Sequence, residues 1–296
     1  MPDIPVGSVV ESALQWLVDH AGSLFDALSA VLLLCVNVVY EVLATPPTFL
    51  LVAIFAVLAA VVLRSVGMVA FTVAAFLLID GMQLWSETLQ TLAVVVIAAA
   101  IAIAVGVPIG VLAASSTRMS RGVRPMLDFM QTLPVFVYLV PAVLFFGIGV
   151  VPGIVATTVF AVPPAVRLTE LGIRQVDKEM VEAAHAFGAR RKQVLRDVQL
   201  PLAVPSIMAG VNQVIMLALS MVVVAGLVGA EGLGGVVVQG VTQYNIGTAV
   251  EGGIAVVILA IFLDRLTGSL GTRRTQRALL SRLRPRRQRD PQPATA

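Results

Sequence analysis

Charged side chains are scarce in this sequence. They make up 12% of its 296 residues, where a soluble domain carries about twice that share. So little charge cannot cover a water-facing surface, and 58% of the chain is hydrophobic, so lipid is expected to be the solvent for much of it. Basic residues are missing from the front. No Lys or Arg precedes Arg64, so the N-terminus lacks the positive region of a cleavable signal peptide. Cys35 is the only cysteine, which excludes a disulfide within the chain, and one Cys with His20 and His185 offers no metal-ligand spacing. No Gly-Lys dipeptide occurs, so there is no phosphate-binding loop of the P-loop kind, and ATP hydrolysis by this chain is excluded. No acid pair or nucleophile–base set points to catalysis. The reading is therefore not an enzyme, with no cofactor or metal of its own and no nucleic-acid partner.

What is abundant is long apolar sequence. A hydrocarbon core of about 30 Å needs about 20 apolar residues in a helix. Residues 91–114 carry no charge, and neither do residues 132–166, which are long enough to cross twice with a reversal at the Gly- and Pro-bearing segment 147–153. Residues 198–230 and 252–263 give two more spans. Residues 42–63 and 65–79 are apolar runs split by Arg64. Seven spans with the N-terminus outside and the C-terminus in the cytoplasm place all 20 basic residues on the cytoplasmic side, as the positive-inside rule requires. Nine acids, among them Asp3, Glu11, Glu41, Glu87 and Glu231, then lie outside. Residues 24–43 are apolar but carry Asp26, Asn37 and Glu41. An interfacial helix on the outer surface is preferred there, and a full span would reverse the N-terminus.

The most informative segment is the cytoplasmic loop at about 168–203. It contains Glu182-Ala183-Ala184, three residues, Gly188, nine residues, Val198, one residue, then Leu200-Pro201. Glu179, Glu182, Ala183 and Ala186 favour helix, and the small Ala183 and Ala184 allow a partner surface to come close. Gly188 suits a left-handed helix stop. A second helix is predicted from Arg190 towards Val198, with Pro201 breaking it. This spacing resembles the EAA loop of ABC importer permeases, with Val198 in place of the usual Ile. The stretches 130–153, 166–176 and 212–235 are similar to the glycine betaine/proline permease family, and the resemblance covers about 45–270.

The resemblance implies an all-α membrane protein with a type I ABC importer transmembrane domain at about 86–270. Accessory transmembrane helices would fill 48–85, an external segment 1–47, and a basic cytoplasmic tail 271–296. It implies that Glu182, Ala183, Ala184, Gly188, Leu200 and Pro201 serve docking of an ATPase. Its partners would be a pair of ATPase subunits that bind ATP and Mg, a second permease copy forming a homodimer, an extracytoplasmic binding protein, and membrane lipids. Because the chain ends in a basic tail, no fused binding domain is expected. The implied setting is the bacterial inner membrane, crossed many times.

Three further readings concern single features. The glycine-rich segment 229–235 follows a membrane helix rather than a strand, so it reads as turn chemistry instead of a nucleotide loop. Polar residues inside spans tend to face a cavity or another helix, which makes Asn212, Gln213 and Ser220 candidates for a translocation path. Phe136 and Tyr138 offer aromatic faces to a quaternary ammonium group, with helix packing as the competing role for all five. The alternatives to a betaine permease are an ABC permease for another small solute such as choline, carnitine or methionine, or a secondary transporter. A secondary transporter would normally carry ionisable residues inside its spans, and these spans are almost free of them. In the tail, residues 271–284 read as a basic helix on the inner membrane surface, followed by a disordered end.

Overall fold

A computed structural model describes residues 6–283. Every regular element among the described residues is helical. Helix α1 covers Val6–Ala44, α2 Thr48–Leu63, α3 Val66–Gly81 and α4 Trp85–Ser115. Then come α5 at Thr117–Thr132, α6 at Val135–Phe146, α7 at Val150–Arg174 and α8 at Lys178–Ala186. Helix α9, Arg191–Val194, passes through a π-turn at Leu195–Gln199 into α10, Leu200–Gly226. Helices α11, Leu233–Thr242, and α12, Ile246–Leu283, complete the order.

The centre of the fold is α7, packed between α4 and α10. Small residues set these distances. A Cβ added at Gly106 of α4 would lie 2.5 Å from the Ala165 Cβ, and one at Gly110 would lie 2.7 Å from the Val166 carbonyl oxygen. Two glycines four residues apart on one helix face let backbones meet, as small residues do in membrane bundles. On the other side of α7, Gly153 faces Ala225 and Gly172 faces Ser206 of α10. A second core lies towards α2, α3 and α12, where Phe55, Phe76 and Phe262 pack ring to ring at 5.0 to 5.4 Å.

Five stretches are long and apolar enough to cross a membrane: Glu11–Ala44, Trp85–Ser115, Val150–Arg174, Arg191–Gly226 and Ile246–Ser269. Helices α2 and α3 have 16 residues each, about 24 Å of helix. They part at Arg64, which takes a left-handed conformation with φ 51°.

The structure differs from the sequence reading in three places. First, residues 24–43 are not a separate short helix but part of a single 39-residue helix, whose stretch Glu11–Ala44 is long and apolar enough to cross a membrane by length and composition. Its polar residues do not interrupt it, because Asp26, Asn37 and Glu41 are exposed while Leu32 and Val36 take the buried face against Val94, Ala98 and Ile154. Second, the crossing expected after residue 132 is not one straight span. Helix α6 has only 12 residues and meets α5 at a bend of 94°. The cause is local. Leu133 precedes Pro134 and is held extended, with ψ 134°, because the proline ring disfavours the α conformation in the residue before it. Third, Pro201 does not break the second loop helix. The chain runs through the π-turn into α10, with the Leu200 N–H donating to the Leu195 carbonyl. The widened turn accommodates a ring that would otherwise crowd the carbonyl four residues back.

The front of the glycine-rich segment, 229–232, is a turn, as read, while Leu233–Gly235 already form the first turn of α11. Gly229 and Gly232 have φ of 82° and 98°, and the Leu233 N–H donates to the Thr91 Oγ1 at 2.9 Å. Helix α12 extends to Leu283. The last part of the tail, 284–296, lies outside the described residues.

Candidate docking loop and translocation surface

Helix α7 ends at Arg174, and Asp177 opens α8 by accepting a hydrogen bond from the Glu179 N–H at 2.9 Å. A side-chain cap of this kind satisfies one of the free donors at a helix start. None of the nine residues of α8 is buried. Val181 and Ala184 are half-buried and turn towards the body, while Met180, Glu182, Ala183 and Phe187 are exposed. Phe187 is 93% exposed. With Met180 of the same helix also exposed, α8 presents apolar surface that a partner could cover.

The end of α8 is tightly specified. The N–H groups of Phe187, Gly188 and Ala189 donate to the carbonyls of Ala183, His185 and Ala184 at 3.1, 2.9 and 3.1 Å. Gly188 has φ 81°, and a Cβ there would meet nothing within 4 Å. Backbone conformation, not space, therefore calls for glycine at this position. The Arg190 N–H then donates to the Gln193 Oε1 at 2.8 Å and opens α9. Leu200 is half-buried and Pro201 exposed at the base of α10, next to the π-turn against which α8 packs. The six loop residues read from the sequence thus fall into two groups. Glu182, Ala183, Ala184 and Gly188 form the projecting element, and Leu200 and Pro201 stand where the π-turn continues into the membrane helix. Between α8 and the α4–α5 junction lies a basic cleft of about 700 Å³ lined by Arg118, Arg121, His185, Arg191 and Lys192.

The five path candidates are not gathered in one place. Asn212 is spent on α12, since its Nδ2 donates to Asp264 Oδ1 at 2.9 Å and its Oδ1 accepts from Thr267. Tyr138 is half-buried and its hydroxyl donates to the Met130 carbonyl. Phe136 is 58% exposed. Gln213 and Ser220 are exposed one above the other on α10, seven residues apart and so on one helix face. The Ser220 hydroxyl donates to the Met216 carbonyl at 3.0 Å.

One cluster was missed by reading the sequence. Glu170 of α7 is buried, and its Oε1 accepts from Ser120 Oγ at 2.7 Å, Arg174 Nε at 2.8 Å and Arg124 Nη2 at 3.4 Å. Beside it, Arg167 pairs with Asp128. The spacing carried the signal. Ser120, Arg124 and Asp128 share one face of α5, and Arg167, Glu170 and Arg174 share one face of α7.

A protein-family model described as the binding-protein-dependent transport system inner membrane component matches residues 106–276. The glycine betaine transport system permease protein OpuAB of Bacillus subtilis (strain 168) is 48% identical over 277 residues, covering 94% of this chain and 98% of that protein. The glycine betaine/proline betaine permease protein ProW of Escherichia coli (strain K12) is 44% identical over 268 residues, covering 90% of this chain and 75% of that protein. Among solved structures, an inward-facing MetNI methionine ABC transporter chain superimposes with a TM-score of 0.58 at 25% identity, covering 62% of this chain and 92% of that one. A chain of an amino acid ABC transporter shares the fold with a TM-score of 0.53 at 17% identity, covering 66% of this chain and 97% of that one.

Proposed function

The chain belongs to the family of binding-protein-dependent transport system inner membrane components, and from that premise we propose that it takes up glycine betaine or a closely related compatible solute as the permease subunit of an ABC importer. The observation that carries the reading is α8, a capped helix that stands clear of the fold, exposes Phe187, and bears the EAA spacing on a family member. The substrate follows the relatives. The spans fit it, since a net-neutral solute needs no fixed countercharge along its way.

The working assembly is two copies of this chain, two ATPase subunits holding ATP and Mg, and an extracytoplasmic binding protein. Glu182, Ala183, Ala184 and Gly188 present α8 to the ATPase, and Leu200 and Pro201 join that contact to α10. When the ATPases close on ATP, α8 carries their displacement to α7 and α10. The exposed α10 face with Gln213 and Ser220, and Phe136 beside the α6 bend, border the solute's passage. Tight selection belongs to the binding protein, since the candidate aromatics are dispersed.

Orientation follows charge and contacts. One end of the bundle is tied by Gln90 donating to Glu231 at 3.0 Å and by Gly149 donating to Val228 at 3.0 Å, and it carries acids. The other end carries Arg118, Arg121, Arg124, Arg167 and Arg174 and leads into α8. We place that basic end in the cytoplasm and residue 10 outside: α1 is taken to lie along the outer side, where Tyr40 meets Ser86 and Phe25 stacks on Phe145, and no basic residue before Arg64 holds the N-terminus in. Reporter fusions at residues 120 and 190 are expected to give cytoplasmic signals, and a fusion at residue 10 an external one. An external signal at 120 or 190 would overturn the orientation.

The function itself is tested by co-reconstituting the chain with its ATPase and binding protein in vesicles and following labelled glycine betaine. ATP-dependent accumulation is expected. Strong uptake of methionine with none of betaine would leave the importer and reject the substrate, and uptake without any ATPase would reject the importer.

A further inference from the structure

We infer that Glu170, held by Ser120, Arg124 and Arg174, is the joint that makes α5 and α6 move with the docking loop, and so a positioning cluster for coupling solute movement to ATP hydrolysis. The inference rests on the importer reading above.

The case starts with a charge out of water. The Glu170 side chain is 8% exposed, and a buried carboxylate is tolerated only when donors satisfy it. All three donors converge on one oxygen, Oε1, and they come from two helices: Ser120 and Arg124 from α5, Arg174 from α7 itself. Arg174 reaches further. Its Nη2 donates to the Ala113 carbonyl at 2.9 Å, in the last turn of α4, where carbonyls lack helical partners. One carboxylate thereby links three helices at the cytoplasmic end of the bundle. The Arg167–Asp128 pair is a second tie between α5 and α7, but both partners are well exposed, at 43% and 65%, where ion pairs contribute little.

The position of this joint in the chain gives it a role. Arg174 is the last residue of α7, and only Gln175 and Val176 separate it from Asp177, the cap of α8. A displacement of α8 therefore arrives first at the residue that grips Glu170. On the far side, α5 runs through the 94° bend into α6. There Leu139 and Tyr138 pack on Ala156 and Phe160 of α7 and on Met221 of α10. The break at Leu133–Pro134 means that α6 is not held to α7 by a continuous helix from the cytoplasmic side. Motion reaches α6 through its own packing on α7 and through α5, which holds α7 by the apolar contact of Leu127 and by Glu170, the buried charged tie between the two helices. With the joint intact, α5 and α6 follow α7. With it cut, the ATPase still moves α8 and α7, but α5 and α6 lag and solute is left behind.

The test is the double variant Ser120→Ala/Arg124→Gln in the reconstituted complex. It removes the Ser120 hydroxyl and replaces the Arg124 charge with a shorter neutral amide, while Glu170 keeps Arg174, so no buried charge is orphaned. We expect ATP hydrolysis stimulated by the binding protein to stay near wild type, while betaine transported per ATP falls about fivefold or more, the scale of site-to-site coupling. The conservative variant Ser120→Thr/Arg124→Lys keeps both donors and is expected to restore the ratio. If the double variant assembles poorly, Arg124→Gln alone is read, since that side chain is 63% exposed, and a smaller fall in the same ratio is expected. An unchanged ratio overturns the inference. So does a proportional fall of hydrolysis and uptake together, which would make the cluster a structural support only. If the wild-type complex shows no ATP-driven uptake of any solute, the importer reading fails first and the inference with it.

Discussion

Gly188→Val is expected to lower ATP-driven uptake by about 5- to 30-fold while the protein still inserts and folds in the membrane, the change that about 1 to 2 kcal/mol of local strain produces. Gly188 has φ 81° and open space around its α-carbon. A Cβ there meets nothing within 4 Å, so the effect comes chiefly from forcing a β-branched L-residue into the left-handed region. The chain relieves that strain by giving up the bonds from Phe187, Gly188 and Ala189 that close α8, and Phe187 then leaves its place at the tip. Uptake and co-purification of the ATPase should fall together. Gly188→Asn is the control, because Asn adopts the left-handed conformation more readily, and it should retain most of the activity. Full uptake by the valine variant would remove Gly188 from the coupling element.

Gly110→Val should act on the fold instead. Its Cβ would lie 2.6 Å from the Thr169 Cβ and 2.7 Å from the Val166 carbonyl oxygen. The second contact is helix backbone, which cannot rotate aside as a side chain would. Overpacking of this kind costs about 1 to 3 kcal/mol, and for a chain of this size that corresponds to a melting temperature about 2 to 5 °C lower. Thermal unfolding of the purified protein in detergent measures it. Gly122→Ala in α5, where an added Cβ meets nothing within 4 Å, should leave the melting temperature unchanged or raise it slightly. An unshifted transition for Gly110→Val would mean that α4 and α7 do not rely on this close approach.

The all-helical membrane fold and the docking loop were legible because each rests on a local signal. Apolar length marks α4, α7, α10 and α12, and the spacing from Glu182 to Pro201 fixes α8, its glycine stop and its junction to α10. The misreadings share a cause as well. Whether Asn37 or Asn212 faces solute, lipid or another helix depends on what packs beside it, and no window of sequence contains that. Asn212 looked like a path residue because its partners, Asp264 and Thr267, stand more than fifty residues away. Glu170 looked like one charge in a basic loop because its donors lie on α5. The bend at Leu133 was the exception. Its signal was local, a proline after an apolar residue, but an unbroken run of uncharged residues masked it. Pro201 misled in the opposite direction, because a π-turn absorbs a ring that an α-helix would not.

That π-turn has a mechanical consequence. With no break at Pro201, Arg191–Gly226 is one helical stretch of 36 residues, about 54 Å from the α8 loop to the glycine-rich turn. A rod of that length is a lever arm. A tilt of about 5° at its cytoplasmic foot sweeps its outer end through about 5 Å, roughly the width of a methyl-bearing ammonium group. The glycine-rich turn at 229–235 is mounted on that outer end. In the orientation proposed above, a small rotation at the loop end of this rod would open or shut a solute-sized gap at its outer end, without any helix having to unwind.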